Sequence, residues 1–178
     1  LPSPNMPTLD TATVYPGTVL VEGTNLSEGR GTTRPFEIVG APFLDADRLA
    51  ARLNGLELGG VRFRPCWFRP TFDKHAGQLC GGVQVHVTDR NIFRPYCCGL
   101  HLLKAARALA PADFAWREPS FEYVWDRMPI DILAGTDRVR RGLEGGVRVD
   151  DLETAWLPEQ QAFEETRASC LLYTGPRS

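Results

Sequence analysis

The sequence predicts a mixed α/β (α+β) fold in a single compact domain, with helices packed on a small mixed sheet. Three observations carry this. From Gly82 to Asp89 the run GVQVHVTD sets Val83, Val85 and Val87 on one face and Gln84, His86 and Thr88 on the other, the period of a half-buried strand. Between Pro95 and Ala110, Leu100, Leu103, Ala106 and Leu109 recur at helical spacing until Pro111 stops the pattern. A chain of 178 residues also suits one core, so residues 1–178 are read as one domain. A core of that size buries roughly 70% of the surface the unfolded chain exposes.

The elements follow in order. Pro7 and Thr8 open a short helix, TLDTATVY, which Pro16 and Gly17 are expected to end. The apolar run Val19–Val21 then reads as a buried strand. Asp45 caps a helix through Leu49 and Leu53, and Asn54 with Gly55 ends it. The alternation of Val61, Phe63 and Trp67 predicts a strand to Phe68, with Pro65 placing it at an edge or a bulge. After the strand and helix already described, Asp137 and Asp150 are read as caps of two helices separated by Gly145 and Gly146. Pro158 is placed in the first turn of a last helix, with Phe163 and Cys170 on one side. Phe121, Tyr123, Trp125 and Trp156 are expected in the core or at an interface.

Charge and cysteine usage exclude several classes. Twenty basic and twenty-two acidic residues give a net charge of −2, so no summed field attracts nucleic acid or anionic lipid. No apolar run approaches the ~20 residues of a membrane helix. The opening LPSPNMP is abrupt for a native N-terminus and is read as that of a fragment or a processed form. The five cysteines, Cys66, Cys80, Cys97, Cys98 and Cys170, are odd in number and make no disulfide framework. Cys97, Cys98 and His101, with Cys80, His75 or His86, could form a soft-metal cluster. The paired CxxC spacing of zinc sites is absent, so they are read as small buried thiols and no metal is expected.

The candidate site is the stretch from Glu22 to Glu37. It places carboxylates, an amide, four hydroxyls, two arginines and three glycines in sixteen positions, directly after an apolar run. A loop that bends sharply and converges on a polar ligand needs that mixture. If the preceding run is a strand, the loop begins at a strand end, where sheets with parallel strands commonly bind ligands. Glu22 and Glu28, flanked by Asn25 and Ser27, suit sugar hydroxyls or an acid and base pair. Gly29 to Thr33, including Thr32, superficially resemble a phosphate loop but lack the lysine followed by a hydroxyl residue. No nucleotide or other cofactor is expected. Arg30 and Arg34 are suited to a carboxylate because each guanidinium offers paired donors in a fixed fork. A second polar cluster, Phe68 to Pro95, carries Arg69, Asp73, His75, Asp89 and Arg94 among aromatics and prolines, and His75 is its candidate ligand contact.

Several long motifs together resemble one family. They are SPNMPTLDTATVYPG, VEGTNLSEGRGTTRPFE, GAPF, FRPTFDKHAGQLCGGVQVHVTD and FEYVWDRMPIDILAGTD, in that order. The resemblance is to the DUF1343 family, whose characterised members are exo-acting β-N-acetylmuramidases, and it runs from about Pro4 to Tyr173 over the C-terminal half of a typical member. It implies a two-domain enzyme that releases N-acetylmuramic acid from the ends of peptidoglycan fragments. The cleft would lie between this domain and an N-terminal Rossmann-like domain that carries the catalytic glutamate. That domain is absent here, residues 1–37 are expected to border it, and no catalytic residue is carried over. The EGTN and EGRGTT positions are placed at the cleft, with Glu22, Asn25, Glu28, Arg30, Thr32 and His75 as substrate-binding candidates. Arg30 is the expected receptor for the lactyl carboxylate of muramic acid. The alternatives are a non-catalytic carbohydrate-binding or domain-docking module, and a thiol or metal module. The resemblance implies no particular cellular compartment.

Overall fold

A computed structural model describes residues 3–172. Helix α1, Leu9–Thr18, starts at Thr8, whose hydroxyl accepts from the Thr11 amide at 3.0 Å. It does not stop at Pro16. It runs on to Thr18 because Gly17 lies against α3 (Pro95–Leu109), where a Cβ on Gly17 would lie 1.8 Å from the Pro95 carbonyl oxygen. Gly99 faces it, and a Cβ there would lie 2.3 Å from the Gly17 carbonyl oxygen. The two backbones thus cross with no room for side chains.

The run Val19–Val21 is not a strand but the start of a 3-10 turn, Val19–Gly23. Its apolar residues are buried all the same, with Leu20 and Val21 fully covered. Three consecutive apolar residues carry no period, so burial was legible and geometry was not.

The sheet has three strands in the order β1-β3-β2: β1 is Ile38–Ala41, β2 Val61–Phe68 and β3 Cys80–Val87. Both pairings are antiparallel, so the α+β class holds while the sheet is antiparallel rather than mixed. The ligand rule for parallel strands therefore has no purchase here. Strand β2 lies at an edge, as Pro65 requires, because an edge position spares the amide hydrogen it lacks. Val39, Ala41, Val61, Phe63, Val83 and Val85 bury one sheet face; α2 (Ala46–Asn54) packs on β2 and β3, α1 reaches β3, and α3 lies against α1 and α2. Each fully buried aliphatic side chain contributes about 1.5–3 kcal/mol. Helix α2 is capped by Asp45, which accepts from the Arg48 amide at 2.9 Å. Its last residue, Asn54, clamps helix to strand: the side chain donates to Phe63 O at 2.8 Å and accepts from Phe63 N at 3.0 Å.

The C-terminal third departs further from expectation. Helix α4, Pro129–Leu133, was not foreseen. Asp137 precedes α5 (Arg138–Glu144), yet its side chain pairs with Arg141 rather than capping. Helix α6, Val149–Ala168, follows Arg148, so Asp150 lies in its first turn, and Pro158 falls inside it rather than at its start. The proline is tolerated because that half of α6 leaves the core: Leu157 and Phe163 are exposed, as is Cys170 beyond its end. Trp156 packs edge-on against Tyr96, and Phe121 is buried. Tyr123 and Trp125 do not belong to the core, being 92% and 75% exposed. Among the described residues no helix is long and apolar enough to cross a membrane.

The α1–α3 crossing sets a test. Gly99→Ala should destabilise the domain by about 1–3 kcal/mol, the range for overpacking, because its methyl group meets backbone rather than a movable side chain. Urea unfolding reads this directly; an unchanged midpoint would show that α1 can shift away from α3.

Candidate functional site

Two loops meet at the site. One follows the 3-10 turn from Thr24 to Glu37, and the other joins β2 to β3. Gly31 lets them close. Its φ is +77°, a Cβ there would lie 2.7 Å from the Phe72 amide nitrogen, and its carbonyl accepts from Thr71 N at 3.0 Å and Thr71 Oγ1 at 2.9 Å.

A network of charges braces the pair from behind. Glu28 is 2% exposed; its Oε1 accepts from Arg30 Nε at 3.1 Å and its Oε2 from Lys74 Nζ at 3.0 Å. Arg30 Nη2 donates to Glu22 Oε1 at 2.7 Å, and the guanidinium lies 5.0 Å from the Phe36 ring centre. Lys74 also donates to the carbonyls of Val21 at 3.1 Å and Leu26 at 3.0 Å. Burial pushes the Lys74 ammonium below the usual lysine range, and attraction to Glu28 only partly offsets it. At Arg30 burial also opposes the charge, but the hydrogen bond and charge of Glu22, with Glu28 behind, carry it above its usual value. Burial and the Glu22 charge together push the Tyr15 hydroxyl up. A separate buried carboxylate, Glu37, accepts from Thr8 and Thr11 and closes on Arg34 at 3.1 Å.

In front of this network lies a cleft of about 380 Å³ lined by Thr24, Asn25, Asp73, Lys74, His75 and Arg117. Asp73 and His75 sit at φ +67° and +58°, the left-handed region that side chains avoid at a cost of order 1–3 kcal/mol. His75 Nε2 is 2.7 Å from the Asn25 carbonyl oxygen, which only accepts, so Nε2 carries a proton and donates to it; in the neutral ring Nδ1 is then an acceptor. Asn25 stitches the loop to the segment before Arg117. Its side chain donates to Asp113 O at 2.7 Å and accepts from Ala115 N at 3.0 Å. The Arg117 amide in turn donates to Gly23 O at 2.9 Å.

The six candidates from the sequence thus divide. Asn25 and His75 line the cleft; Glu22, Glu28 and Arg30 form the network behind it; Thr32 lies in the turn, donating to Gly29 O at 2.6 Å. From the second polar cluster Asp73 reaches the cleft, 3.9 Å from Arg30 Nε. Arg69 holds the Gly77 carbonyl at 2.9 Å, while Arg94 pairs with Glu153 elsewhere. Thr24, within the EGTN motif, also lines the cleft, whereas Lys74 and Arg117 were missed. A lysine between Asp73 and His75 was visible as a signal, whereas nothing around Arg117 marked it.

The thiols are poor candidates for chemistry. Burial pushes Cys98 up to about 12, and Cys66 and Cys80 to about 11, which leaves almost no thiolate near neutral pH. Among the described residues no group of three His, Cys, Asp or Glu side chains could hold a metal ion. A larger groove of about 590 Å³ lies by Tyr96, Val139 and Trp156 and contains none of the six candidates.

The geometry defines a small α+β domain presenting a polar, charge-braced cleft. Residues 13–173 match the family described as Exo-beta-N-acetylmuramidase NamZ, C-terminal, and the chain belongs to that family. It is 45% identical over 173 residues to the peptidoglycan beta-N-acetylmuramidase NamZ of Bacillus subtilis (strain 168), covering 97% of this chain and 40% of that protein. The chain therefore spans about 40% of the length of this curated relative. Crystal structures of two DUF1343 family proteins from Bacteroides fragilis NCTC 9343 share the fold. One has a TM-score of 0.81 at 26% identity, over 97% of this chain and 44% of the other; the second has 0.69 at 27%, over 97% and 43%.

Removing one partner from a buried ion pair typically costs about 3–5 kcal/mol. Glu28→Ala should destabilise the domain by about that much, and adding Lys74→Met should recover part of it by removing the stranded ammonium. Chemical denaturation of the three variants forms the cycle. A single-mutant loss under about 1 kcal/mol would mean that the network does not hold the loops together.

Proposed function

We propose that this chain is the cleft-forming C-terminal domain of a peptidoglycan exo-β-N-acetylmuramidase and binds the terminal N-acetylmuramic acid. The observation that carries the reading is the cleft of about 380 Å³ held by the Glu22–Arg30–Glu28–Lys74 network, with Asn25 and His75 on its wall. Polar groups fixed by a rigid backing suit a sugar, whose hydroxyls need partners at set positions. His75 Nδ1 is free to accept from a sugar hydroxyl, and the left-handed backbone at Asp73 and His75 is the strain expected of residues selected for position. The name of the Bacillus subtilis relative supports the substrate class.

This domain supplies half of the chemistry at most. Glycosidases generally use two carboxyl groups at the scissile bond. Glu22 and Glu28 are taken up by Arg30 and Lys74, so among the described residues Asp73 is the carboxylate that lines the cleft. A second domain, corresponding to the rest of the relative's length, completes the site and brings the missing carboxyl group. The alternative, a non-catalytic sugar-binding module, draws on the same observation and is separated by turnover.

The test is release of para-nitrophenol from its β-N-acetylmuramic acid glycoside. The chain alone should show none above background, and the chain joined to the N-terminal portion of the Bacillus subtilis relative should show turnover. Turnover by the chain alone would place a complete acid and base set in these residues. Silence from the joined protein, with the intact relative active beside it, would leave the sugar-binding module.

A further inference from the structure

The cleft has three cationic groups on or behind it, and two of them, Arg30 behind the wall and Lys74 on it, are already in ion pairs. Arg30 is closed by Glu22 and Glu28, with Asp73 3.9 Å from its Nε. The Lys74 ammonium is within hydrogen-bonding distance of Glu28 and the carbonyls of Val21, Glu22 and Leu26, which saturate its three protons. Arg117 differs. Among the described residues its guanidinium makes no ion pair, although it lines the cleft. It is not loose, however. The amide is fastened to Gly23 O at 2.9 Å, the neighbouring Trp116 pairs with Thr24, and the guanidinium carbon sits 5.4 Å from the Phe121 ring centre. A fork held on an aromatic face keeps its planar donors available at little entropic cost. Arg117 also lies near enough to Lys74 to oppose its charge, although burial lowers the ammonium most and Glu28 and Asp73 act more strongly in the opposite sense.

We propose that Arg117, and not Arg30, receives the carboxylate of the ligand and makes the cleft selective for an acidic sugar. This rests on the muramidase reading above. On that reading the group is the lactyl carboxylate carried at C3 of muramic acid. The planar guanidinium donates two parallel hydrogen bonds to its two oxygens. Arg117 is then a specificity-determining residue that takes no part in bond cleavage. A neutral analogue leaves the fork unpaired in a partly desolvated site and binds more weakly, by about 10- to 100-fold for one charge-assisted pair.

The experiment uses the chain joined to the N-terminal portion of the Bacillus subtilis relative, hydrolysing the chromogenic muramic acid glycoside. N-Acetylmuramic acid and its methyl ester are compared as competitive inhibitors, since the ester removes the charge at the cost of one added methyl group. The unsubstituted protein should prefer the free acid by about 10- to 100-fold. Arg117→Ala should bring that ratio close to one, and Arg117→Lys should restore part of it. Loosening of the fold alone would weaken both inhibitors alike and leave the ratio standing. A ratio retained in Arg117→Ala overturns the assignment while the muramidase reading survives. No hydrolysis by the unsubstituted protein overturns both, and the intact relative, active in the same assay, identifies that case.

Discussion

The site depends on one buried carboxylate. Glu28 comes from the loop after the 3-10 turn, Lys74 from the loop between β2 and β3, and their contact at 3.0 Å joins segments 46 residues apart. Neither loop has regular hydrogen bonding of its own. Without Glu28 the Lys74 ammonium would sit among backbone carbonyls without its buried counter-charge; without Lys74 the carbonyls of Val21 and Leu26 would lose their donor. A buried ion pair adds little net stability over an apolar core, but it tolerates only one arrangement of its members. That makes it a suitable device for fixing two irregular loops in a single register.

The fixed register explains why the residues facing the cleft differ in kind from those behind it. In the network the Lys74 ammonium is saturated by Glu28 and backbone carbonyls, and Arg30 commits its Nε and Nη2 to Glu28 and Glu22. On the cleft wall stand groups with capacity to spare: His75 Nδ1, the Asp73 carboxylate and the Arg117 guanidinium. Satisfied charges supply rigidity and unsatisfied ones supply recognition. The separation runs along the chain as well: Asp73, Lys74 and His75 all line the cleft, but the Lys74 ammonium is bound into the network while Asp73 and His75 stand in left-handed backbone.

This division also shows what could be read from the sequence. Strand β3, helix α2 with its Asp45 cap and helix α3 were legible because period, cap and burial agree over eight or more residues. The prolines misled in opposite ways: α1 runs past Pro16, held by a backbone crossing at Gly17, while α6 begins well before Pro158, expected in its first turn, and packs on little beyond its first half. Composition singled out Glu22–Glu37 as the candidate loop, since no core needs that mixture. What composition cannot report is which charge meets which. Glu22, Glu28 and Arg30 look like ligand-binding residues because the same chemistry serves an internal network, and only the position of Lys74 distinguishes the two uses. Arg117 lay outside every motif because its placement is set by backbone pairing to Gly23 and Thr24, and such pairing leaves no side-chain signature.

The arrangement bears on why a cleft of this kind would be divided between domains. A glycosidase must surround the sugar with polar groups yet admit and release it, and a wall braced by buried ions cannot move to do so. On the proposed muramidase reading, the two loops of this domain are fixed by the Glu28–Lys74 pair, which leaves the motion to the junction with a second domain. The rigid wall would then select the sugar through Arg117 and His75, and closure would bring the remaining carboxyl group to the bond. Selection and chemistry would act in sequence. A neutral sugar that Arg117 fails to hold would leave the open cleft before the acid and base were assembled, so discrimination would precede the committed step.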